Sequence, residues 1–284
     1  MSELTFLSAV AMAEQIRKQE LSPVELVEAH LARIEKLNPK LNAFVHVDAE
    51  GARRQARAAE KAVTRHEKLG PLHGVPISIK SSIEVKGMSC ESGTKLRAGF
   101  VAAQDAPLVS RLRQAGAIIL GTTNAPELLM AWETDNLLYG RTNNPWDLSR
   151  TPGGSSGGEA AAIAAGCSAG GVGSDGGGSI RVPAHFSGIC GLKPTPGRIP
   201  ATGHFPTSVG PFALLGVVGP MARTIADLKV LFEVMQGPDD SDPSAAPVPV
   251  RWPKRDDLKK LRPNPKFQQL VAGLKAPSQK SSAQ

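Results

Sequence analysis

The chain has 284 residues, of which 41% are apolar and 21% charged, so it is long and apolar enough to bury one sizeable core. No apolar run reaches about 18 residues and the first residues lack the segments of a signal peptide, so we predict no membrane span and a cytoplasmic location. Residues 251–284 carry the whole net charge of +7, and this Pro-, Ser- and Lys-rich tail is typical of a solvated extension, so we predict no nucleic-acid partner.

The N-terminal part of the chain is predicted to be mainly helical. Ser22 and Glu25 form a capping box around Pro23, and apolar residues follow at roughly helical spacing, which predicts a helix over 23–37. The next predicted elements are a short strand at 41–47, an exposed helix at 48–66, and a strand at 71–80 that ends on Lys80.

Helices and strands alternate further along the chain, which favours an α/β fold. Helices at 107–115 and 158–166 precede strands at 117–120 and 170–174, and Thr224 is predicted to cap a last helix at 225–236. The Pro- and Gly-rich stretch 180–219 is predicted to be mostly loop. We therefore predict an N-terminal helical segment at 1–66, a core at 67–236, and a Pro-rich linker with a disordered basic tail at 237–284.

Two serines in glycine-rich settings give the strongest functional signal. Ser155 lies in GGSSGG at 153–158 and Ser179 follows DGGG at 175–178, and 11 of the 29 glycines fall between 153 and 178. Such density is typical of backbone that turns sharply or closely approaches an anion or a developing oxyanion. A flexible linker is the alternative, but the apolar runs that follow both clusters argue against it.

Other motifs and residues suggest competing chemistry. The stretch 171–176 matches the GxGxxG dinucleotide fingerprint, but Pro183 comes too soon for a long helix, so we predict no cofactor. The stretch 153–157 matches the nucleophile elbow of α/β-hydrolases, with His185 and His204 as candidate bases, although loop-like residues precede it. The three cysteines show no CxxC spacing, so we predict neither a disulfide framework nor a metal site.

Lys80 is the best candidate for the base that a hydroxyl nucleophile needs. A lysine accepts a proton only when it is neutral, and burial favours the neutral form. The position of Lys80 at a strand end, next to Ile79, allows such burial, although a strand-end lysine is more often simply solvated. The stretch 176–226 contains no Asp or Glu, which favours negative charge developing nearby.

Together these features resemble the amidase signature family of serine amide hydrolases. The resemblance is carried by residues 74–80, 121–124, 139–146, GGSSGGEAAA from Gly153, GSDGGGSIRVPA from Gly173, and 188–195. It implies an α/β/α layered fold with a mixed β-sheet, and hydrolysis of linear carboxylic amides through an acyl-serine intermediate. It also implies a Ser-Ser-Lys triad, in which Ser179 attacks, Ser155 relays its proton, and neutral Lys80 accepts the proton and later helps to protonate the leaving amine.

The resemblance assigns supporting roles to neighbouring residues as well. It implies an oxyanion hole formed by the backbone N–H groups of Gly176, Gly177, Gly178 and Ser179. It implies a cis peptide at Gly154–Ser155, and side chains that support the reacting groups without taking part in the chemistry, namely Ser156, Asp175 and Arg181.

The chain departs from the family in length, since nothing beyond about residue 262 matches the second half of its members. We therefore expect a fold that is incomplete at the C-terminus. A catalytically inactive truncated fragment stays open as an alternative, as does the amidase subunit of a glutamine-dependent tRNA amidotransferase. The expected partner is a small-molecule amide, and a homodimer is left open. Four apolar residues are interpreted as core rather than as a pocket wall: Leu128, Leu129, Met130 and Trp132.

Overall fold

A computed structural model describes residues 4–207 and 210–245, together with 248, 249, 252, 263, 265 and 268. The chain divides into two compact units, Met1–Val248 and Pro249–Gln284. The predicted basic tail lies almost wholly outside the described residues. The predicted boundaries at 66 and 236 stay predictions.

The described residues form seven α-helices and six β-strands. The helices are α1 (Ala9–Arg17), α2 (Pro23–Leu41), α3 (Ala49–Thr64), α4 (Pro107–Gln114), α5 (Gly157–Ala164), α6 (Arg181–Ser187) and α7 (Ile225–Met235). The strands are β1 (Phe44–Val47), β2 (Pro76–Lys80), β3 (Ile118–Thr123), β4 (Gly170–Asp175), β5 (Cys190–Gly191) and β6 (Val217–Ala222). None of the described helices combines the length and the apolar composition needed to cross a bilayer.

The strands form one mixed sheet in the order β1-β3-β2-β4-β6-β5. Strand β2 runs parallel to both β3 and β4, whereas the other three pairings are antiparallel. Because parallel neighbours end at the same edge of a sheet, Lys80 at the end of β2 and Asp175 at the end of β4 come to the same edge. This confirms the predicted α/β class with a mixed sheet.

Helices cover both faces of the sheet. A side chain at Gly170 would meet Leu231 of α7, and a side chain at Gly171 would meet Glu159 of α5. Because neighbouring strand residues point to opposite faces, α5 and α7 lie on opposite sides of β4. Helix α5 is buried along almost its whole length between the sheet and its neighbours, and its Ala and Gly residues allow that close packing. The layered arrangement implied by the resemblance is therefore present.

Local capping signals correctly placed two helix starts. Ser22 accepts hydrogen bonds from the N–H groups of Val24 and Glu25 at the start of α2, and Thr224 accepts from Asp227 at the start of α7. Both helices were predicted from these signals, and both predictions are confirmed.

The prediction of loop over 180–219 is wrong, since this stretch contains α6 and β5 and leads into β6. Pro183 is the third residue of α6, where a backbone N–H would have no partner within the helix, so proline is tolerated. Pro220 lies inside β6, but its carbonyl accepts from Leu192, just beyond the end of β5. The missing N–H therefore faces the side where the short edge strand ends, and not β4.

Candidate active site

Lys80 is completely buried at the C-terminal end of β2, where it meets two serines. Its Nζ lies 2.6 Å from Ser155 Oγ and 3.0 Å from Ser174 Oγ. The structure thus brings together Lys80 and Ser155, which are 75 residues apart in sequence. Ser174 was not predicted, although it lies within the GSDGGGS motif that pointed to Ser179.

The environment of Lys80 favours a neutral amine near physiological pH. Burial lowers the pKa of Lys80 to about 7, while the negative charges of Asp175 and Glu159 act in the opposite direction and raise it. A lysine with such a pKa exists in both protonation states at neutral pH. It can therefore accept a proton from Ser155 and return it later.

Ser155 is buried at the entrance to α5, and the Gly154–Ser155 peptide is cis, as the resemblance implied. A side chain on Gly154 would lie only 2.6 Å from the carbonyl oxygen of Glu133, so glycine is needed there. Ser156 ties this segment to the next one. Its N–H donates to the Ser179 carbonyl at 3.1 Å and its Oγ donates to the Ser174 carbonyl at 3.2 Å.

Ser179 lies in the loop between β4 and α6 and, unlike Lys80 and Ser155, is only half-buried. Its side chain lines a cavity of about 640 Å³ together with Ser155 and Ser174. An accessible serine, a buried serine and a buried lysine thus converge on one site. This order of exposure suits a nucleophile that meets substrate while its proton passes inward.

Asp175 organises the loop that carries Ser179. Its carboxylate accepts hydrogen bonds from the N–H groups of Gly178, Ile180 and Arg181 at 2.7–3.2 Å, and two more from the Arg181 guanidinium at 3.0 Å. Burial alone would raise the pKa of Asp175, but these hydrogen bonds outweigh it and lower the pKa to about 2. Asp175 is therefore an anion at any ordinary pH.

The three glycines before Ser179 differ in what their N–H groups do. The N–H of Gly178 is engaged by Asp175 Oδ1 at 2.7 Å. Gly176, Gly177 and Ser179 line the cavity. The structure thus leaves three of the four amides of the predicted oxyanion hole next to the space where a substrate carbonyl would lie.

Apolar residues form most of the remaining cavity wall. The interpretation of one group of them as core is wrong, because Leu128, Leu129, Met130 and Trp132 all line the cavity, and Met130 and Trp132 are 78% and 64% exposed. Leu128 and Leu129 have φ values of 49° and 65°, so they belong to a tight turn and not to a regular helix face.

The two histidines of the rival hydrolase interpretation occupy different settings. His185 lies on the exposed side of α6, while His204 lines the cavity with its Nδ1 2.9 Å from the Pro206 carbonyl. Burial, together with the charge of Lys80, lowers the pKa of His204 to about 4. Residues 141–156 form turns and loops, so the strand-turn-helix of a nucleophile elbow is absent from this described stretch.

Glu159 is a buried acid near this site that the sequence analysis missed. Ser78 Oγ and Thr123 Oγ1 donate to its carboxylate at 2.6 and 2.7 Å. The available signal was a single acidic residue in the otherwise apolar run GGEAAAIA of α5. Among the described residues, no three His, Cys, Asp or Glu side chains are grouped so as to hold a metal ion.

Known proteins with similar sequences include amide hydrolases and proteins of the tRNA amidotransferases. The chain is 45% identical over 249 residues to the indoleacetamide hydrolase of Bradyrhizobium diazoefficiens, a match that covers 87% of this chain and 48% of that protein. It is 45% identical over 240 residues to the acylamidase of Rhodococcus erythropolis, covering 84% and 50%. One of the proteins that make up the glutamyl-tRNA(Gln) amidotransferase of Streptomyces coelicolor is 44% identical over 250 residues, covering 88% and 50%. The chain therefore spans about half the length of the curated relatives it matches.

The fold has the same relationship to solved structures. The peptide amidase of Stenotrophomonas maltophilia superimposes with a TM-score of 0.79 at 33% identity, over 89% of this chain and 53% of the peptide amidase. The model of the Amidase family matches residues 25–271 and so includes every residue of the site described above. With its sequence, its fold and the signature serines all matched, this protein belongs to the Amidase family, the amidase signature enzymes.

Proposed function

We propose that this protein hydrolyses a linear carboxylic amide through an acyl-serine intermediate, using Lys80, Ser155 and Ser179. The observation that carries the proposal is the contact between the buried Lys80 Nζ and Ser155 Oγ, at the inner end of a cavity that Ser179 lines. Membership of the Amidase family supports the same reaction class.

In the proposed acylation, Ser179 Oγ attacks the amide carbon while its proton passes to Ser155, whose own proton passes to neutral Lys80. The oxyanion accepts hydrogen bonds from the N–H groups of Gly176, Gly177 and Ser179. The proton on Lys80 then returns through Ser155 to the leaving nitrogen, the C–N bond breaks, and the amine departs. A water molecule attacks the acyl ester by the same proton route, releasing the acid and free Ser179.

The cavity supports a substrate with an apolar acyl group. Its wall near the serines is formed by Leu215, Val217 and Val218 on one side and by the 128–132 turn on another. A pocket of this size and lining gains affinity from burying apolar surface and orients the substrate through a few polar groups. We expect a small-molecule amide, and the homodimer stays a prediction.

A fluorophosphonate probe tests the nucleophile directly. We expect one covalent adduct per chain, placed on Ser179 by intact-mass and peptide analysis, and no adduct in Ser179→Ala. Ser155→Ala keeps the nucleophile but breaks the proton route, so we expect the same adduct to form about 10²–10⁴ times more slowly. A folded chain that forms no adduct on Ser179 would reject the proposal and favour the inactive fragment.

The same reaction should depend on pH in a defined direction. Lys80 acts as a base only when it has lost its proton, and burial places its pKa at about 7. We therefore expect the acylation rate to rise as the pH increases through about 7 and to level off above it. Rates of adduct formation in buffers from about pH 5 to pH 9 measure this, with circular dichroism at each pH as the control for folding. A rate that falls over this range would contradict a lysine base.

A further inference from the structure

Glu159 occupies a cradle formed by three neighbouring strands. Its carboxylate is completely buried and accepts from Ser78 of β2 and from Thr123 of β3. Gly171 of β4 leaves the space for it, because a Cβ atom there would lie 2.0 Å from Glu159 Oε1. The carboxylate is thus fixed against β2, β3 and β4 together.

This cradle lies beside Lys80. Ser78 precedes Lys80 by two residues, so both side chains point to the same face of β2. Thr123 is the residue of β3 paired with Lys80, and Gly171 is the residue of β4 paired with Ser78. The same face also receives Ser155 at the start of α5, four residues before Glu159.

A buried carboxylate is unfavourable unless it is compensated, and two neutral hydroxyl donors compensate it only in part. Burial raises the pKa of Glu159 to about 7, while the hydrogen bonds from Ser78 and Thr123 and the charge of Lys80 lower it. An apolar or amide side chain would fill the same space without this cost. The acid therefore requires an explanation other than packing.

We propose that Glu159 is a positioning residue that acts through Lys80: its carboxylate, held in the three-strand cradle, sets the proton affinity of the lysine that takes the proton from Ser155. The inference rests on the proposed role of Lys80 as the base. Such a base must both accept a proton and return it, so its affinity must lie near the working pH. Burial alone weakens that affinity, and a nearby negative charge restores it.

Three titratable groups act on Lys80 from the elements around it: Glu159 from α5, Asp175 from the end of β4, and His204 from the 201–207 segment. Asp175 is engaged by Arg181 and by three backbone amides, and its low pKa keeps it ionised. His204 is neutral above a pKa of about 4. Glu159 is therefore the group of the three whose charge changes in the same pH range as that of Lys80.

Glu159→Gln tests the proposal, because it removes the charge but keeps the shape and an oxygen that accepts a hydroxyl. In the full chain labelled with [ε-¹³C]lysine, the Lys80 resonance is the one that titrates near neutral pH and is lost in Lys80→Met. We expect its midpoint to fall by about one pH unit in Glu159→Gln. The rising limb of the fluorophosphonate acylation rate should move to lower pH by the same amount. Glu159→Asp, which keeps the charge, should restore most of both shifts.

Asp227→Asn is the matched control, because it also replaces a buried carboxyl by an amide, in α7 on the other face of the sheet. It should leave the Lys80 midpoint unchanged. A Lys80 midpoint in folded Glu159→Gln equal to that of the unmodified chain would overturn the inference and leave Glu159 with a packing role. If the unmodified chain forms no adduct, the proposed function fails, but the NMR titration still decides the role of Glu159.

Discussion

Replacing Lys80 by methionine is expected to slow acylation of Ser179 by about 10²–10⁴-fold, the range over which a general base contributes to a reaction. Methionine is similar in length and apolar, so it fills the completely buried position without introducing a charge. Ser155 and Ser174 each lose one hydrogen-bond partner, at a cost of about 1 kcal/mol each, so we expect the fold to persist. Fluorophosphonate adduct formation, followed by intact mass above neutral pH, measures the rate.

Two further variants separate a base from a merely cationic residue. Arginine does not lose its proton in proteins, so Lys80→Arg should be as slow as Lys80→Met if the lysine is the base. A Lys80→Arg chain with near-normal rate would show instead that a positive charge suffices. Lys86→Met changes an exposed lysine six residues away and should react like the unmodified chain. Melting curves of all three variants check that slow reaction does not come from unfolding.

Local sequence signals were sufficient to predict much of the fold. The capping residues Ser22 and Thr224 act within three residues of themselves, so a helix start can be recognised without knowing its partners. The strands around Lys80 are buried on both faces and therefore appear as short apolar runs. The stretch 180–219 was misread because Pro183 and Pro220 are tolerated for reasons that depend on neighbouring segments.

The site was less accessible to reasoning from residues alone. The glycine-serine clusters pointed to Ser155 and Ser179, but the partnership of Ser155 with a lysine 75 residues away came only from the resemblance to a family. Glu159 was missed because its partners are 81 and 36 residues distant, and no local pattern marks a buried acid as different from an exposed one. Long-range pairing of strands β2, β3 and β4 creates both sites at once.

Gly171→Ala is expected to be among the most destabilising substitutions in the protein, although it adds a single methyl group. The new Cβ atom would lie 2.0 Å from Glu159 Oε1 and 2.3 Å from the Ser78 carbonyl oxygen. The second of these atoms belongs to the backbone of β2, which is paired on both sides and cannot move away. Overpacking of this kind costs about 3 kcal/mol, which corresponds to a melting temperature lower by about 6–12 °C for a chain of this size.

Gly177→Ala is the matched comparison for stability, because a Cβ atom at Gly177 meets no atom within 4 Å and its φ needs no glycine. Urea and thermal unfolding should place Gly177→Ala close to the unmodified chain and Gly171→Ala well below it. Equal stability of the two variants would mean that Gly171 does not press against the Glu159 cradle. In that case the packing that holds the carboxylate beside Lys80 would be looser than the distances require, and the electrostatic coupling between the two groups would weaken with it.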